Sequence, residues 1–214
     1  MILEKPYIKE MQIVENNNIS VIGYVEGEPV LSHRVMDEDF YRFMVRVPRL
    51  SQVDDVLPVT ISEKLMCSWL RDGVKVKVTG QLRSYNKFSE TGTHLVLPIF
   101  VKSIDLAEIG TGENPNEIFI NGFICKNPVY RKTPFGREIT DLIVAVNRAF
   151  NRSDYIPAIA WGRNAVFAEK LEVGSNVQIW GRLQSREYVK RLSDTESETR
   201  IAYELSITKI EKIA

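Results

Sequence analysis

Short runs of alternating apolar and polar residues, separated by turn-forming residues, make up most of the chain. In the second half these runs are rich in β-branched and aromatic residues and are bounded by Gly, Pro and Asn, which predicts strands. The predicted strands are IFINGFI, REITDLIVAVN, YIPAIAW, SNVQIWGRLQSREYV and RIAYELSITKI. Between the third and the fourth, RNAVFAEKLEVG has the apolar spacing of a helix that ends at Gly174.

The first half repeats this series of elements. Its predicted strands are ISVIGYV, FYRFMVRVP, VLPVTIS, VKVKVTGQLRSY and HLVLPIFVKSI, with SEKLMCSWLRDG as the helical segment after the third. Five strands with a helix between the third and the fourth is the order of an OB-fold, a five-stranded Greek-key barrel. We therefore predict an all-β chain of two OB-fold barrels in tandem, each with one short helix between strands 3 and 4.

The two halves also match residue by residue. Residues 17–61 align with the second half without a gap at a spacing of 99, and after an insertion of two residues the spacing is 101. The matched pairs include Asn17/Asn116, Gly23/Gly122, Val45/Val144, Arg49/Arg148, Gly80/Gly181, Leu82/Leu183 and Ser84/Ser185. Each copy is long enough to hold its own core, so the duplication indicates two domains and not a solenoid of short repeats.

The domain boundary is predicted at AEIGTGENPNE, which has three Gly or Pro residues and no apolar pattern. We assign residues 1–106 to the first domain, 107–116 to a linker and 117–214 to the second domain.

The fourth predicted strand of the second half distinguishes an inner from an outer face. Val177, Ile179 and Leu183 share one parity and are predicted to point into the barrel. The other parity contains Gln178, Trp180, Arg182, Gln184, Arg186 and Tyr188. Exposed aromatic rings interleaved with guanidinium groups suit a ligand whose flat rings are joined by phosphates. Alternatively, Trp180 packs against another OB-fold in an oligomer.

The net charge of zero conceals an asymmetry between the halves. Residues 117–214 hold 15 Lys and Arg against 12 Asp and Glu, a net charge of +3, which leaves −3 for residues 1–116. Within the second half, residues 117–191 alone have a net charge of +5. A polyanion is therefore expected to prefer the second half.

Composition argues against several other classes of protein. The start of the chain has no secretory pattern and no window is long enough to span a bilayer, so we expect a cytoplasmic chain without membrane contact. Cys67 and Cys125 have no CxxC spacing and are expected to be reduced core thiols. His33 and His94 lack partners at metal-ligand or triad spacing, and no Gly-rich phosphate loop is present. We predict no enzymatic activity, no metal and no cofactor.

The second half resembles the bacterial single-stranded DNA-binding protein family, SSB. The resemblance covers IFINGFICKNPVYR, LIVAVNRAF and DYIPAIAWGRNAVFAEKLEVGSNVQIWGRLQSREY, and its most specific part is VxIxGxLxxRxY within the stretch from Trp161 to Tyr188. It implies sequence-nonspecific binding of single-stranded DNA in replication, repair or recombination, on a protein associated with the nucleoid. The positions where the family stacks bases are Phe150, Tyr155, Trp161 and Tyr188 in this chain.

Cations around these aromatics would neutralise phosphates and make the affinity fall with salt. The candidates are Arg131, Lys132, Arg148, Arg152, Arg163, Arg182 and Arg186. Ordinary packing remains an alternative for the aromatics, since Phe150 and Tyr155 could be core contacts beside a loop. Trp161 could instead seal the barrel or a subunit interface.

The first half departs from the family pattern. Its residues at the four stacking positions are Ser51, Val56, Ser62 and Lys87. The outward parity of its fourth strand still carries candidates for nucleic-acid contact, namely Lys75, Lys77, Arg83 and Tyr85. This copy either contacts nucleic acid more weakly, serves assembly, or presents a solvated row of lysines.

The resemblance also bears on partners. Because the family usually assembles four OB-folds, a chain with two is expected to form a homodimer. The family's acidic C-terminal tail has no counterpart in LSITKIEKIA, so replication or repair proteins would be recruited through another surface. Two other functions remain open at this point: a primosome or replisome adaptor that uses OB surfaces for protein contacts, and an RNA-binding OB protein.

Overall fold

Strands make up most of the computed structural model, which describes residues 16–49, 51, 53–89, 92–108, 114–191 and 197–213. Residues 1–15 and the central part of the predicted linker lie outside the described residues. None of the helices in the described part is long and apolar enough to cross a membrane.

The strands of the first half pair in a cycle that returns to its starting strand. They are β1 (Asn17–Val35), β2 (Glu38–Val47), β3 (Asp55–Ser62), β4 (Lys75–Leu82), β5 (Tyr85–Ser89), β6 (Gly92–Val96) and β7 (Ile99–Leu106). β1 pairs antiparallel with both β2 and β4, and β2 continues antiparallel to β3. β3 then pairs parallel with β7, which pairs antiparallel with β4, while β5 and β6 form a separate hairpin.

The second half repeats this cycle. Its elements are β8 (Asn116–Ile124), β9 (Val129–Lys132), β10 (Glu138–Arg148), β11 (Arg152–Trp161), α1 (Arg163–Glu169), β12 (Asn176–Arg191) and β13 (Ser197–Lys212). β8 pairs with β10 and β12, β10 with β11, β11 in parallel with β13, and β13 with β12. The predicted segments thus form strands in the predicted order, with β9 as an added short strand at the edge of β10.

The short helix predicted between strands 3 and 4 takes a different form in each half. In the second half it is α1, whose small side chains Ala165 and Ala168 are buried against the core. In the first half it is a 3₁₀ helix at Glu63–Leu65. Leu65, Met66 and Trp69 pack against the core from this shorter segment, so the core contact is made without an α-helix.

The alternation in β12 holds for the inner face and fails at one outer position. Val177, Ile179 and Leu183 are fully buried, as predicted. Gln184, predicted to face outward, is also buried, and its amide donates to the Glu204 carboxylate of β13 at 2.7 Å. Because Glu204 lies directly opposite in the register, it satisfies the amide away from solvent.

Two matched glycines mark the points where β4 and β12 bend. The register of β4 against β7 shifts at Gly80, and that of β12 against β13 shifts at Gly181. A Cβ at Gly80 would lie 2.2 Å from the Phe100 carbonyl oxygen, and one at Gly181 would lie 2.2 Å from that of Ser206. Only glycine permits so close an approach of two backbones, which explains why both copies carry it.

The two halves join edge to edge through their first strands. β1 and β8 pair antiparallel around Ile19 and Ile118, which are themselves matched residues of the duplication. The pairing therefore has approximate twofold symmetry and merges both halves into one sheet of eleven strands and one hydrophobic core. The matched Asn17 and Asn116 are buried there, each bonding both to the backbone N–H and to the C=O of a leucine in its own half, Leu82 or Leu183.

Two buried aspartates fasten the junction from either side. Asp55 accepts a hydrogen bond from the Ser185 N–H of the other half at 2.6 Å, and Asp154 accepts one from the Ser84 N–H at 2.8 Å. Neither carboxylate is exposed. An arginine completes each contact: Arg49 of the same half at Asp55, and Arg83 of the opposite half at Asp154.

We predict that Asp55→Ala lowers the free energy of unfolding by about 3 kcal/mol, because the largely buried Arg49 guanidinium and the Ser185 N–H lose their partner. Its neighbour Asp54 is the matched control, since it pairs with Arg46 at the surface, and Asp54→Ala is expected to cost less than about 1 kcal/mol. Urea unfolding of both variants measures the difference. Equal losses would contradict the role given to the buried junction.

Candidate nucleic-acid interface

The outward face of β10 and β11 presents two of the predicted stacking residues. In the antiparallel register, Tyr155 lies opposite Ala145, and Trp161 lies opposite Ile139. Tyr155 and Trp161 are six residues apart on one strand, so both side chains stand on the same face, separated by about 20 Å at about 3.3 Å per residue. Their exposed fractions are 53% and 39%. The face therefore offers two platforms, with Pro157 and the buried Ile159 between them.

Phe150 occupies the turn that joins β10 to β11. Its ring is 94% exposed, which removes the alternative that it is a core contact. The residue has a φ of 61°, and Asn151 follows with 52°. A phenylalanine in the left-handed region is strained by about 1 kcal/mol or more. The turn thus exposes the apolar ring of Phe150 to water near Tyr155, and it does so with a backbone conformation that phenylalanine disfavours.

Tyr188 and Trp180 lie on other parts of the second half. Tyr188, 37% exposed, is on the arm formed by β12 and β13, opposite Arg200. Trp180 is half-buried and stacks in a tilted arrangement on Phe119 at 5.2 Å, with the Lys209 ammonium 4.4 Å from its ring centre. It lines a cleft of about 860 Å³ between the halves, together with Arg182. Trp180 is therefore not part of the β10–β11 face.

Many of the candidate cations already contact a carboxylate or carbonyl oxygen. The contacts are Arg131 with Asp141 at 2.8 Å, Arg148 with Asp154 at 3.7 Å, Arg186 with Glu204 at 3.7 Å and the Lys75 ammonium with the Glu108 carbonyl at 3.1 Å. In contrast, Lys132, Arg152 and Arg163 are exposed and form no ion pair with the described residues. The accessible positive charge is thus smaller than the sequence count suggests.

Arg131 belongs to the binding face despite its partner. It lies on β9 opposite Ile139, which in turn lies opposite Trp161, so Arg131 and Trp161 share a row two strands apart. At about 4.8 Å per strand, their backbones are about 10 Å apart. The hydrogen bond from Arg131 to Asp141 raises the pKa of the guanidinium, so it stays charged.

Arg83 is not where the sequence predicted it. It follows the end of β4, and instead of facing outward its guanidinium reaches across the junction to Asp154 at 3.1 Å. It also donates to Gln81 at 2.5 Å and lies over the ring of Phe100. A buried carboxylate needs a partner, and this attraction overrides the parity of the strand.

In the first half, a groove beside Tyr85 is lined by different residues from the β10–β11 face of the second half. Tyr85, half-exposed, borders a cleft of about 350 Å³ with Met44, Pro58 and Val59 on its walls. Glu26 and Glu28 also line it. Phe43 also lies on its wall but is buried, so Tyr85 is the exposed ring of this lining. The charge of the groove is mixed, because Arg42 and Lys87 line it together with the two glutamates. Lys77 has polar or electrostatic partners of its own.

Phe135 is an exposed aromatic residue that the sequence analysis did not identify as a candidate. Phe135, 92% exposed, stands at the apex of the β9–β10 turn between Lys132 and Arg137. The turn is fixed by Thr133, whose N–H donates to the Arg137 carbonyl at 2.9 Å and whose hydroxyl accepts from the Arg137 N–H at 3.0 Å. An aromatic residue directly before the glycine of a TPFGR turn was the available signal, since such a position cannot be buried.

The remaining chemistry-bearing residues do not form a cluster. Cys67 and Cys125 are free and half-buried, so they are less enclosed than the predicted core thiols. Burial raises the pKa of the Cys125 thiol, whose Sγ donates to the Ile143 carbonyl at 3.3 Å. His33 is exposed and stacks on Phe40. In the part of the chain that the structure describes, no three His, Cys, Asp or Glu residues are grouped as metal ligands.

The chain is similar to known single-stranded DNA-binding proteins. Residues 115–211 match the model of the single-strand binding protein family. The chain is 35% identical over 80 residues to single-stranded DNA-binding protein A of Bacillus subtilis, covering 34% of this chain and 46% of that protein. It is 35% identical over 82 residues to single-stranded DNA-binding protein 2 of Streptococcus agalactiae, covering 35% and 63%. These aligned regions thus span roughly half of each relative.

Both halves match a solved structure. The wild-type single-stranded DNA binding protein from Thermus aquaticus superposes with a TM-score of 0.71 over 92% of this chain and 93% of that chain, at 20% identity. At this identity the likeness shows a common fold.

Proposed function

We propose that this chain, which belongs to the single-strand binding protein family through residues 115–211, binds single-stranded DNA without sequence preference. The observation that carries the proposal is the β10–β11 face, where Tyr155 and Trp161 stand exposed in one row and Phe150 projects from the adjoining turn. In this role the chain protects single strands during replication, repair or recombination, in the cytoplasm at the nucleoid.

Stacking supplies most of the binding energy in this proposal. Every base has a π face, so an aromatic platform binds any sequence, and each stacked base contributes about 1–3 kcal/mol. The exposed cations Lys132, Arg152 and Arg163 neutralise phosphates beside the platforms. Tyr188 extends the surface onto the β12–β13 arm.

The proposed architecture is two OB-fold barrels in tandem. The support is that strand pairings close into the same cycle in each half, with matched glycines at the same bends. The domains are residues 1–106 and 117–214, joined by a linker at 107–116. The first barrel serves mainly to build the junction, because Arg83 is committed to Asp154 and the stacking positions hold Ser51, Val56, Ser62 and Lys87.

A homodimer completes four OB-folds in this proposal. The support is the face around Trp180 and Phe119, where two large rings remain only half-buried beside an open cleft. Packing a second copy of the chain against this face would cover both rings, and large aromatics dominate the energetics of such interfaces.

We predict that oligo(dT) quenches the tryptophan fluorescence of the chain and that duplex DNA does not. Trp161→Ala and Tyr188→Ala are each expected to weaken binding by about 1–3 kcal/mol, because each removes one platform. Tyr24→Ala is the matched control, since Tyr24 is 37% exposed like Tyr188 but lies on β1 beside Arg46. Titration at low and high salt measures these effects. Absence of dT binding at low salt would refute the proposed function.

Removing an acid from the binding face should strengthen binding. Asp141→Asn releases Arg131 for a phosphate, so we expect about fivefold to tenfold tighter oligo(dT) binding at low salt and a salt slope steeper by about 0.7. Asp39→Asn is the control, because Asp39 holds Arg34 in the same two-bond geometry on the first half. An equal gain in both variants would show that net charge, and not the β10–β11 face, governs the affinity.

Light scattering at micromolar concentration is expected to give twice the mass of one chain. Trp180→Glu places a charge on the proposed contact face and should shift the mass to that of a monomer, because burying an unpaired charge is costly. Tyr155→Glu, on the DNA-binding face, should leave the mass unchanged. A monomer mass for the unsubstituted chain would remove the dimer from the proposal.

A further inference from the structure

The two buried aspartates of the junction occupy matched positions but hold their arginines differently. At Asp55, the Arg49 Nε donates to the carboxylate at 2.6 Å, and its Nη2 donates both to the carboxylate and to the Ser185 carbonyl. The side chain of Arg49 is 16% exposed, and both its Nε and its Nη2 donate hydrogen bonds.

Arg148, the counterpart of Arg49, is held much more loosely. Its Nη1 lies 3.7 Å from the Asp154 carboxylate, beyond hydrogen-bonding distance, and its Nε is buried with no hydrogen-bond partner among the described residues. The side chain is 31% exposed, about twice the fraction of Arg49. A buried N–H without a partner costs about 1–3 kcal/mol, so this arrangement requires a cause.

The cause is a second arginine at the same carboxylate. Arg83 donates to one oxygen of Asp154 at 3.1 Å, and the Ser84 N–H donates to the other at 2.8 Å. At Asp55 the situation differs, because the residue matched to Arg83 is Gln184, and its amide is bonded to Glu204. Arg49 therefore contacts Asp55 without a second arginine among the described residues. The Asp55 oxygen that does not accept the serine N–H accepts Arg49 Nε, whereas the corresponding oxygen of Asp154 accepts Arg83. A second guanidinium at this oxygen takes the place of one bond of the Arg148 fork and repels Arg148.

Arg148, which is held off the Asp154 carboxylate, lies near the proposed DNA-binding residues, where a cation can neutralise a phosphate. It lies opposite Arg152 in the register of β10 and β11, two residues before Phe150. Asp154 directly precedes Tyr155 on β11. Successive side chains alternate between faces, so Asp154 and the nearby Arg148 lie on the face opposite Tyr155, at the end of β10 that leads into the Phe150 turn. A guanidinium kept off Asp154 therefore remains at the base of this turn.

Resting on the proposed function, we propose that Arg83 is a positioning residue for DNA binding. By occupying Asp154, it keeps the Arg148 guanidinium from closing on that carboxylate and leaves it for a DNA phosphate at the turn that carries Phe150. Arg83 itself does not contact the strand.

The test compares oligo(dT) affinity across a salt series for Arg83→Met, Arg148→Met and the double variant. In Arg83→Met, Arg148 is expected to close on Asp154 as Arg49 does on Asp55, so each single variant loses one phosphate contact and its salt slope falls by about 0.7. The double variant should bind no more weakly than Arg148→Met, because both changes remove the same contact. Arg83→Lys keeps a cation at Asp154 and should restore most of the affinity.

The controls separate this inference from simpler explanations. Arg34→Met removes the same charge from an exposed pair on the first half and should leave the salt slope unchanged. Thermal unfolding of every variant checks that the junction is intact, and loss of stability alone does not alter the slope of a folded protein. Additive losses in the double variant, or an unchanged slope in either single variant, would overturn the inference. Failure of the proposed function appears separately, as absence of oligo(dT) binding by the unsubstituted chain, and would leave Arg148 without a phosphate to bind.

Discussion

The structure depends on two buried carboxylates that each half offers to the other. Asp55 and Asp154 are wholly removed from water, and each accepts a backbone N–H from across the junction. A buried charge is tolerable only when its hydrogen bonds are complete, and here they are complete only if both halves are folded and docked. This requirement holds the two halves together on either side of the β1–β8 pairing, which makes the sheet continuous. The halves are therefore not independent domains joined only by a linker.

The duplication keeps these structural residues and varies the surface. Matched pairs such as Asn17/Asn116, Gly80/Gly181 and Asp55/Asp154 perform the same task in both copies. At the stacking positions the copies have diverged: Tyr155 and Trp161 in the second correspond to Val56 and Ser62 in the first. Since stability resides in one set of positions and the proposed binding face in another, the first copy could lose its aromatics without losing its fold.

Local patterns predicted what depends on neighbours along the chain. The period-two alternation that identified Val177, Ile179 and Leu183 as inner residues is a property of one strand, and it was confirmed. Arg83 and Gln184 were misplaced because their partners, Asp154 and Glu204, lie 71 and 20 residues away. The short helix predicted in the first half likewise forms as a 3₁₀ helix, although the matching segment of the second half is an α-helix. Contacts between distant residues decide such positions, and no single-strand pattern contains them.

The distribution of charge explains why the proposed site should discriminate between single and double strands. Arg131 lies beside Asp141 and Arg186 beside Glu204, so a phosphate must compete with a carboxylate for each of these two arginines. Exposed ion pairs contribute about 0–1 kcal/mol, less than the 1–3 kcal/mol of a stacked base, so exchanging one partner for another gains little. Stacking therefore carries the larger share of the affinity, and it needs bases whose faces are free. A duplex presents many phosphates, but its base faces are covered by base stacking. Since several cations of the proposed site are already paired with carboxylates, this surface is expected to bind duplex DNA weakly.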